Sequence, residues 1–188
     1  MTQQEIINSL IAGNEKFVAE KAEGKLRNKA RVEELTTGQN PDTIVLSCAD
    51  SRVVPELAFD KGLGELFVVR VAGNIANTDS IASIEYAVAH LGSQVIVVLG
   101  HESCGAVTAA VNGGDNGYNL NHLLCQITPA VEASEEGADV NTVVQKNAEL
   151  NAEQLVERSK IIADAVNSGK VKIVPAYYHL KDGKVEFL

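Results

Sequence analysis

The sequence predicts an α/β fold: a mostly parallel sheet flanked by helices, with an N-terminal helical arm and a C-terminal antiparallel edge strand. Three observations predict it. The runs TIVLSC (Thr43–Cys48), ELFVVRV (Glu65–Val71) and VIVVL (Val95–Leu99) are continuously apolar and rich in β-branched residues, as strands covered on both faces are. Between the last two, Ser80–Leu91 carries apolar residues at helical spacing (Ile81, Ile84, Ala87, Val88, Leu91), which is the strand–helix–strand rhythm of a parallel sheet. Near the C-terminus an Asp182-Gly183 turn separates two further apolar runs, the mark of a hairpin.

Taken in chain order, residues 1–23 read as a helix from Ile6, Ile7, Leu10, Ile11, Phe17 and Val18, with Thr2 as cap and Glu5 three residues on. The basic stretch Lys25–Arg31 is either a second helix or a loop. Thr43–Cys48 follows Pro41-Asp42 as the first strand, Glu65–Val71 is the second, and Val95–Leu99, ended by Gly100, is the third. Gly113-Gly114 to Asn119 reads as a surface loop. Leu120–Ser134 and Asn141–Asn167 read as helices, the second ended at Gly169. Cys125 falls at an apolar helical position and is expected in the core. Val171–Tyr177 is the fourth strand and Lys184–Leu188 its hairpin partner at the sheet edge.

The chain has 188 residues, the size of one domain, so 1–188 is expected to fold as a unit with residues 1–35 as the helical arm. A hydrophobic content of 45% excludes a disordered chain. The formal net charge of −9 argues against a partner with a phosphate backbone, so no nucleic acid is expected. No apolar run approaches the roughly 20 residues of a membrane-spanning helix, and MTQQEIINSL lacks the basic region of a secretory signal. A cytoplasmic protein with no membrane partner is the expectation. Three cysteines, Cys48, Cys104 and Cys125, argue against a disulfide framework and for metal-binding or catalytic thiolates.

The chemistry-bearing residues sit at strand ends. Cys48-Ala49-Asp50-Ser51-Arg52 closes the first strand and His101-Glu102-Ser103-Cys104-Gly105 follows the third. In open α/β sheets the functional crevice lies beyond the carboxyl ends of the strands, so the two clusters meet if strands one and three are neighbours. Two thiolates and an imidazole suit a tetrahedral Zn²⁺, and three protein ligands leave the fourth position that a catalytic site keeps. His101 and Cys104, three apart, fit one helical turn, and Cys104 near a helix N-terminus gains thiolate character. The plainer alternative is two small buried cysteines and a satisfied histidine. Asp50 and Arg52 are spaced for a bidentate pair that holds the carboxylate off the metal. The alternative is an ordinary surface pair, and the spacing leaves both open.

CADSR, FVVRVAGN, SIEYAVAHLG and VIVVLGHESCGAV, in this order and spacing, resemble the β-class carbonic anhydrases from about Gln39 to Val111, with compatible flanks. The resemblance implies a zinc enzyme that hydrates CO2 reversibly to bicarbonate and a proton by attack of zinc-bound hydroxide. It implies Cys48, His101 and Cys104 as zinc ligands and Asp50–Arg52 as the catalytic dyad. Gln39, nine residues before Cys48, matches the substrate-binding glutamine of the plant-like, open-site group. Phe67 and Tyr86 match that group's pocket aromatics, Ala72 a small lining residue, and the Gly105 N–H a further donor to substrate. The absence of tryptophan sets the chain apart from the group with an Asp-closed site. A homodimer is implied, with further assembly to a tetramer or higher, and pockets at the subunit interface. Hydrolysis of carbonyl sulfide or carbon disulfide on the same scaffold is the alternative activity, and a non-catalytic zinc-binding sensor the alternative class. No proton shuttle is identified: His122 and His179 qualify by residue type alone, with surface or packing roles as the plainer reading, and His90 reads as structural. Arg70, at the end of the second strand, serves either a dimer contact or a pocket.

Overall fold

A five-stranded sheet forms the centre of the computed structural model, which describes residues 1–188. Helix α1 (Gln3–Val18) leads, followed by the short α2 (Lys29–Glu34). Next come β1 (Thr43–Ser47), α3 (Pro55–Ala58), β2 (Leu66–Arg70) and α4 (Thr78–Tyr86). β3 (Val95–His101) runs into α5 (Gly105–Asn112), α6 (Tyr118–Leu124) and α7 (Thr128–Glu132). The long α8 (Val140–Arg158) and α9 (Lys160–Asn167) precede β4 (Lys172–Tyr178) and β5 (Val185–Phe187). No helix is long and apolar enough to cross a membrane.

The strand order is β2-β1-β3-β4-β5, parallel throughout except for β5, which pairs antiparallel with the end of β4. The chain runs from β1 to β2 on one side, then crosses to β3 on the other. Such a reversal opens a crevice beyond the carboxyl ends of the two strands that flank it, here β1 and β3. Ser47 lies opposite Arg70 on β2 and Leu99 on β3, so Cys48 enters the crevice beside the last residues of β3.

Alternation along the strands divides the core. Val45, Val97 and Leu99 face Ile6, Ile7 and Leu10 of α1 and Phe59. Ile44, Leu46, Ile96 and Val98 face Ile81 and Ile84 of α4, Ala148 and Leu155 of α8 and Ile162 of α9. A third cluster, with Ile75, Val107, Ile127, Val143 and Val144, closes around Cys48 and Cys104 at the crevice. Gly100 is what lets α8 come this close, because a Cβ there would lie 2.8 Å from Val144 Cγ1.

Several elements differ from the sequence expectation, each for a local reason. The capping box of Thr2 and Glu5 starts α1 as expected, but the helix stops at Val18, where Glu20 turns left-handed (φ 56°). Lys25–Arg31 is loop until Asn28 caps α2 through the Arg31 N–H. The helix read over Leu120–Ser134 is two helices, because Pro129 supplies no N–H and starts α7 anew. Cys125 falls in this break and is exposed, not in the core; its thiol donates to the His122 carbonyl at 2.9 Å. Asn141–Asn167 likewise breaks at Ser159 (φ −126°, ψ 112°). The Ser159 hydroxyl caps α9 at Ile162 N and reaches Glu85 Oε1 at 2.6 Å. α4 continues as a π-helical turn over Ala87–Leu91 before Gly92 ends it. β3 extends two residues past Leu99, so His101 belongs to the strand.

Candidate metal centre

Three side chains from the two strand ends converge. Cys48 Sγ and Cys104 Sγ are 4.0 Å apart, and these two sulfurs and a ring nitrogen of His101 all lie within 4.8 Å of one another. Relative exposures are 4% for Cys48, 0% for His101 and 1% for Cys104. The expected helical turn across His101 and Cys104 is not what joins them. His101 ends β3, Ser103 turns left-handed (φ 52°), and Cys104 is the N-cap of α5.

The loops that carry these donors are tied down on every side. The Glu102 N–H donates to Tyr178 O at 2.8 Å, and the Glu102 carboxylate accepts from Leu180 and Lys181 N–H. The Ser103 N–H donates to Asn141 Oδ1 at 2.9 Å. On the β1 side, Arg70 reaches from the end of β2 to three carbonyls, those of Cys48 (2.8 Å), Asp50 (2.6 Å) and Val53 (2.9 Å). Arg70 thus shapes the loop that carries Cys48 and Asp50, a role that the sequence reading did not name.

The donor set fits a divalent metal. His101 Nδ1 lies 2.9 Å from the Glu102 carbonyl, which can only accept, so Nδ1 carries the proton and Nε2 keeps its lone pair. That Nε2 is fully buried with no hydrogen-bond partner, a state that costs about 1–3 kcal/mol unless a ligand takes the lone pair. Two sulfurs about 2.3 Å from one tetrahedral ion stand roughly 3.8 Å apart, close to the spacing here. One of the two thiols, Cys48, is also primed to ionise. Cys48 is held well below the ordinary thiol range by the hydrogen bond from Cys104, against burial, with the Gly73 N–H helping. Cys104, the donor of that bond, is pushed up by Cys48 and by burial, while the first amides of α5 pull the other way.

Asp50 stands beside the donors. Its Oδ2 is 3.9 Å from His101 Nε2. Arg52 grips both oxygens, with Nε on Oδ1 at 3.0 Å and Nη2 on Oδ2 at 2.7 Å, and its own N–H adds a bond to Oδ1 at 2.9 Å. Arg52 holds the carboxyl below the ordinary carboxylate range, against a partial burial that works the other way.

Of the remaining candidate residues, Gly105 opens α5 next to Cys104, and Ala72 precedes Gly73, whose N–H donates to Cys48 Sγ at 3.4 Å. Phe67 and Tyr86 meet each other, ring centroids 6.4 Å apart, but not the cluster. Phe67 pairs in register with Ile44, four residues before Cys48 and so about 13 Å away along β1. Gln39 lines a shallow surface groove with Val32, Leu35, Leu63 and Gly64. His122 is exposed on α6; His179 packs edge-on against Tyr177 and reaches Glu186 Oε2 at 3.3 Å. His90 is exposed and stacks on Tyr86, ring centroids 5.3 Å apart.

Sequence reasoning missed the polar side chains of α8. Asn147 Nδ2 donates to Gly73 O at 2.8 Å, Asn151 Oδ1 accepts from Ala76 N–H at 2.6 Å, and Arg158 Nη1 donates to Ala76 O at 2.5 Å. The only local signal was the Gly73-Asn74 pair, both residues left-handed (φ 72° and 43°), which marks a tight turn without naming what holds it.

Comparison with known proteins agrees with this geometry. The family model described as Carbonic anhydrase matches residues 43–185. A carbonic anhydrase of Mycolicibacterium smegmatis is 38% identical over 180 residues, covering 93% of this chain and 87% of its own. Carbonic anhydrase 2 of Mycobacterium tuberculosis is 37% identical over 183 residues, covering 94% and 88%. Among solved structures, a tetrameric β-carbonic anhydrase of Sordaria macrospora superposes with a TM-score of 0.77 at 25% identity, over 98% of this chain and 97% of that one. The β-carbonic anhydrase of Coccomyxa, solved with acetazolamide, shares the fold with a TM-score of 0.76 at 22% identity, over 98% and 82%. With most of its length matched, and with two cysteines and a histidine brought together where β1 and β3 end, the chain belongs to the β-class carbonic anhydrase family.

Proposed function

We propose that this chain interconverts CO2 and bicarbonate, with a zinc ion held by Cys48 Sγ, His101 Nε2 and Cys104 Sγ. The observation that carries the reading is the carboxylate beside those three donors. Asp50 Oδ2 is near enough to His101 Nε2 to reach the same ion, yet both its oxygens are engaged by Arg52. A carboxylate free to swing would complete the coordination, whereas one gripped by a guanidinium leaves a corner for water. This is the open arrangement of the plant-like group.

The chemistry that zinc supplies there is acidification of a water molecule, to a pKa of about 7. Asp50 Oδ2, kept ionised by Arg52, accepts a hydrogen bond from the attacking oxygen and directs its lone pair at carbon. As CO2 becomes bicarbonate, charge moves onto oxygen, and the Gly105 N–H at the positive end of α5 meets it. Ala72 supplies an apolar wall from the same chain.

Gln39, Phe67 and Tyr86 complete the pocket of a second copy. Tyr86 is 51% exposed, and β2, the strand bearing Phe67, is an edge of the sheet with no neighbour outside it. A homodimer built on this side brings one copy's aromatics to the other copy's metal centre. Assembly to a tetramer, as in the Sordaria macrospora relative, follows from further contacts. The chain works in the cytoplasm as one domain, residues 1–188, with 1–35 as its arm.

Stopped-flow CO2 hydration with zinc analysis on the same sample tests the proposal. The expected result is about one zinc per chain and rapid hydration; full zinc occupancy with no turnover overturns it.

A further inference from the structure

The structure assigns Asn147 and Asn151 of α8 as positioning residues for the Cys48 thiolate, acting through the backbone of Gly73, whose C=O they hold and whose N–H faces the sulfur. The inference rests on Cys48 being a metal ligand. It starts from the Gly73 N–H, which points at Cys48 Sγ from a left-handed residue, 3.4 Å away. A donor on a ligating sulfur withdraws electron density from it, so its aim sets how strongly that sulfur donates.

Within the loop one bond closes the turn around Gly73, from the Asn74 N–H to Val71 O at 2.9 Å. Gly73 adopts φ 72°, a conformation that glycine shares with many other backbone states, and a Cβ there would meet Ile127 Cδ1 at 2.6 Å. The hold from outside the loop comes from α8. Asn147 Nδ2 holds the Gly73 carbonyl, and Asn151 holds Asn147 in turn, donating from Nδ2 to Asn147 Oδ1 at 3.0 Å and to Asn147 O at 2.7 Å. Asn151 Oδ1 and Arg158 Nη1 pin the far end of the loop at Ala76 N–H and O. Both asparagines are buried, and every amide oxygen and nitrogen of the pair is used. The same helix caps the other ligand turn, where Asn141 accepts from Ser103 N–H. One rigid element thus references both ligand loops, and the polar ladder on it tunes Cys48.

The test is cobalt(II)-substituted protein, read by its sulfur-to-cobalt charge-transfer band and by metal retention against a chelator. Asn147→Ala removes the grip on Gly73. The control is Asn14→Ala, which removes a similarly buried asparagine that ties Ala58 O, Gly183 O and Val185 N–H and makes no bond to either ligand loop. The inference expects Asn147→Ala to move the band to longer wavelength and to weaken metal retention by on the order of tenfold. Asn14→Ala should lower thermal stability with the band unmoved. An unmoved band in folded Asn147→Ala, or the same displacement in Asn14→Ala, overturns the inference. A wild-type protein with no such band overturns the ligand reading itself, and the inference with it. Should Asn147→Ala not fold, Asn151→Ala and the wild-type protein loaded with ¹¹³Cd decide. The Gly73 amide proton should then show a coupling to cadmium across the hydrogen bond in the wild type and a smaller one in Asn151→Ala; no coupling in the wild type, or an undiminished one in the variant, overturns the inference.

Discussion

Arg70→Met is the perturbation whose size follows most directly from the geometry. Methionine keeps much of the aliphatic stem and removes all three donor bonds to the loop that carries Cys48 and Asp50. The bond to Asp50 O is exposed, so water replaces it; those to Cys48 O and Val53 O are partly buried. At about 1.5 kcal/mol for each of these two charge-assisted bonds, the loss is roughly 3 kcal/mol. In a chain of this length that corresponds to a fall in melting temperature of about 6–12 °C. Because the freed loop bears a proposed ligand and its neighbouring carboxylate, metal retention should fall by about tenfold as well. Arg70→Lys should recover only part of both effects, since a single ammonium cannot reproduce the fork that reaches two strands of the loop. Scanning calorimetry and chelator competition on the purified variants measure the two quantities. A methionine variant within about 2 °C of wild type and with unchanged metal retention would refute the role given to Arg70.

Other outcomes follow from the same geometry. Cys48→Ser should lose zinc and hydration activity together, as metal analysis beside a stopped-flow assay will report; full occupancy with full activity contradicts its place as ligand. Asp50→Ala should retain zinc and lose on the order of 100-fold in turnover. The pH profile supplies a separate check. Asp50 sits below the ordinary carboxylate range because of Arg52, so its stabilisation of the fold is present above that range and lost only as pH falls through its lowered value. Hydration should therefore climb as pH rises through neutrality without Asp50 titrating, and a rate greatest at acid pH contradicts hydroxide attack. Mixed dimers of Cys48→Ser and Tyr86→Ala chains should recover activity that neither homodimer has, because one of the two centres then pairs intact ligands with an intact tyrosine; no recovery means that Tyr86 acts within its own chain.

The parts of this architecture legible in the sequence were those encoded within a few residues. β-branched apolar runs announced β1, β2 and β3, and the Asp182-Gly183 turn announced β5. That Cys48 and His101 meet followed from strand ends and crevice logic, conditional on β1 lying beside β3, as it does. The Asp50–Arg52 clasp was readable as a spacing but not as a geometry, since two residues at that separation pair only where the turn folds the side chains together. Breaks inside apolar patterns escaped. Ser159 interrupts a continuous helical periodicity because its hydroxyl finds Glu85, a partner 74 residues away. Cys125 matched the apolar spacing of a helix that Pro129 prevents from forming. Asn147 and Asn151 carry no local signal within their helix, and only the tertiary contact with Gly73 and Ala76 reveals their use.

The proposed centre is a zinc ion held by two sulfurs and one imidazole with a corner left to water. X-ray absorption at the zinc edge on protein at neutral pH tests it most directly. The spectrum should show two sulfur neighbours at about 2.3 Å, one nitrogen at about 2.0 Å and one further light atom that exchanges with added anions. A carboxylate oxygen from Asp50 in that position, or a shell with fewer than two sulfurs, would contradict it.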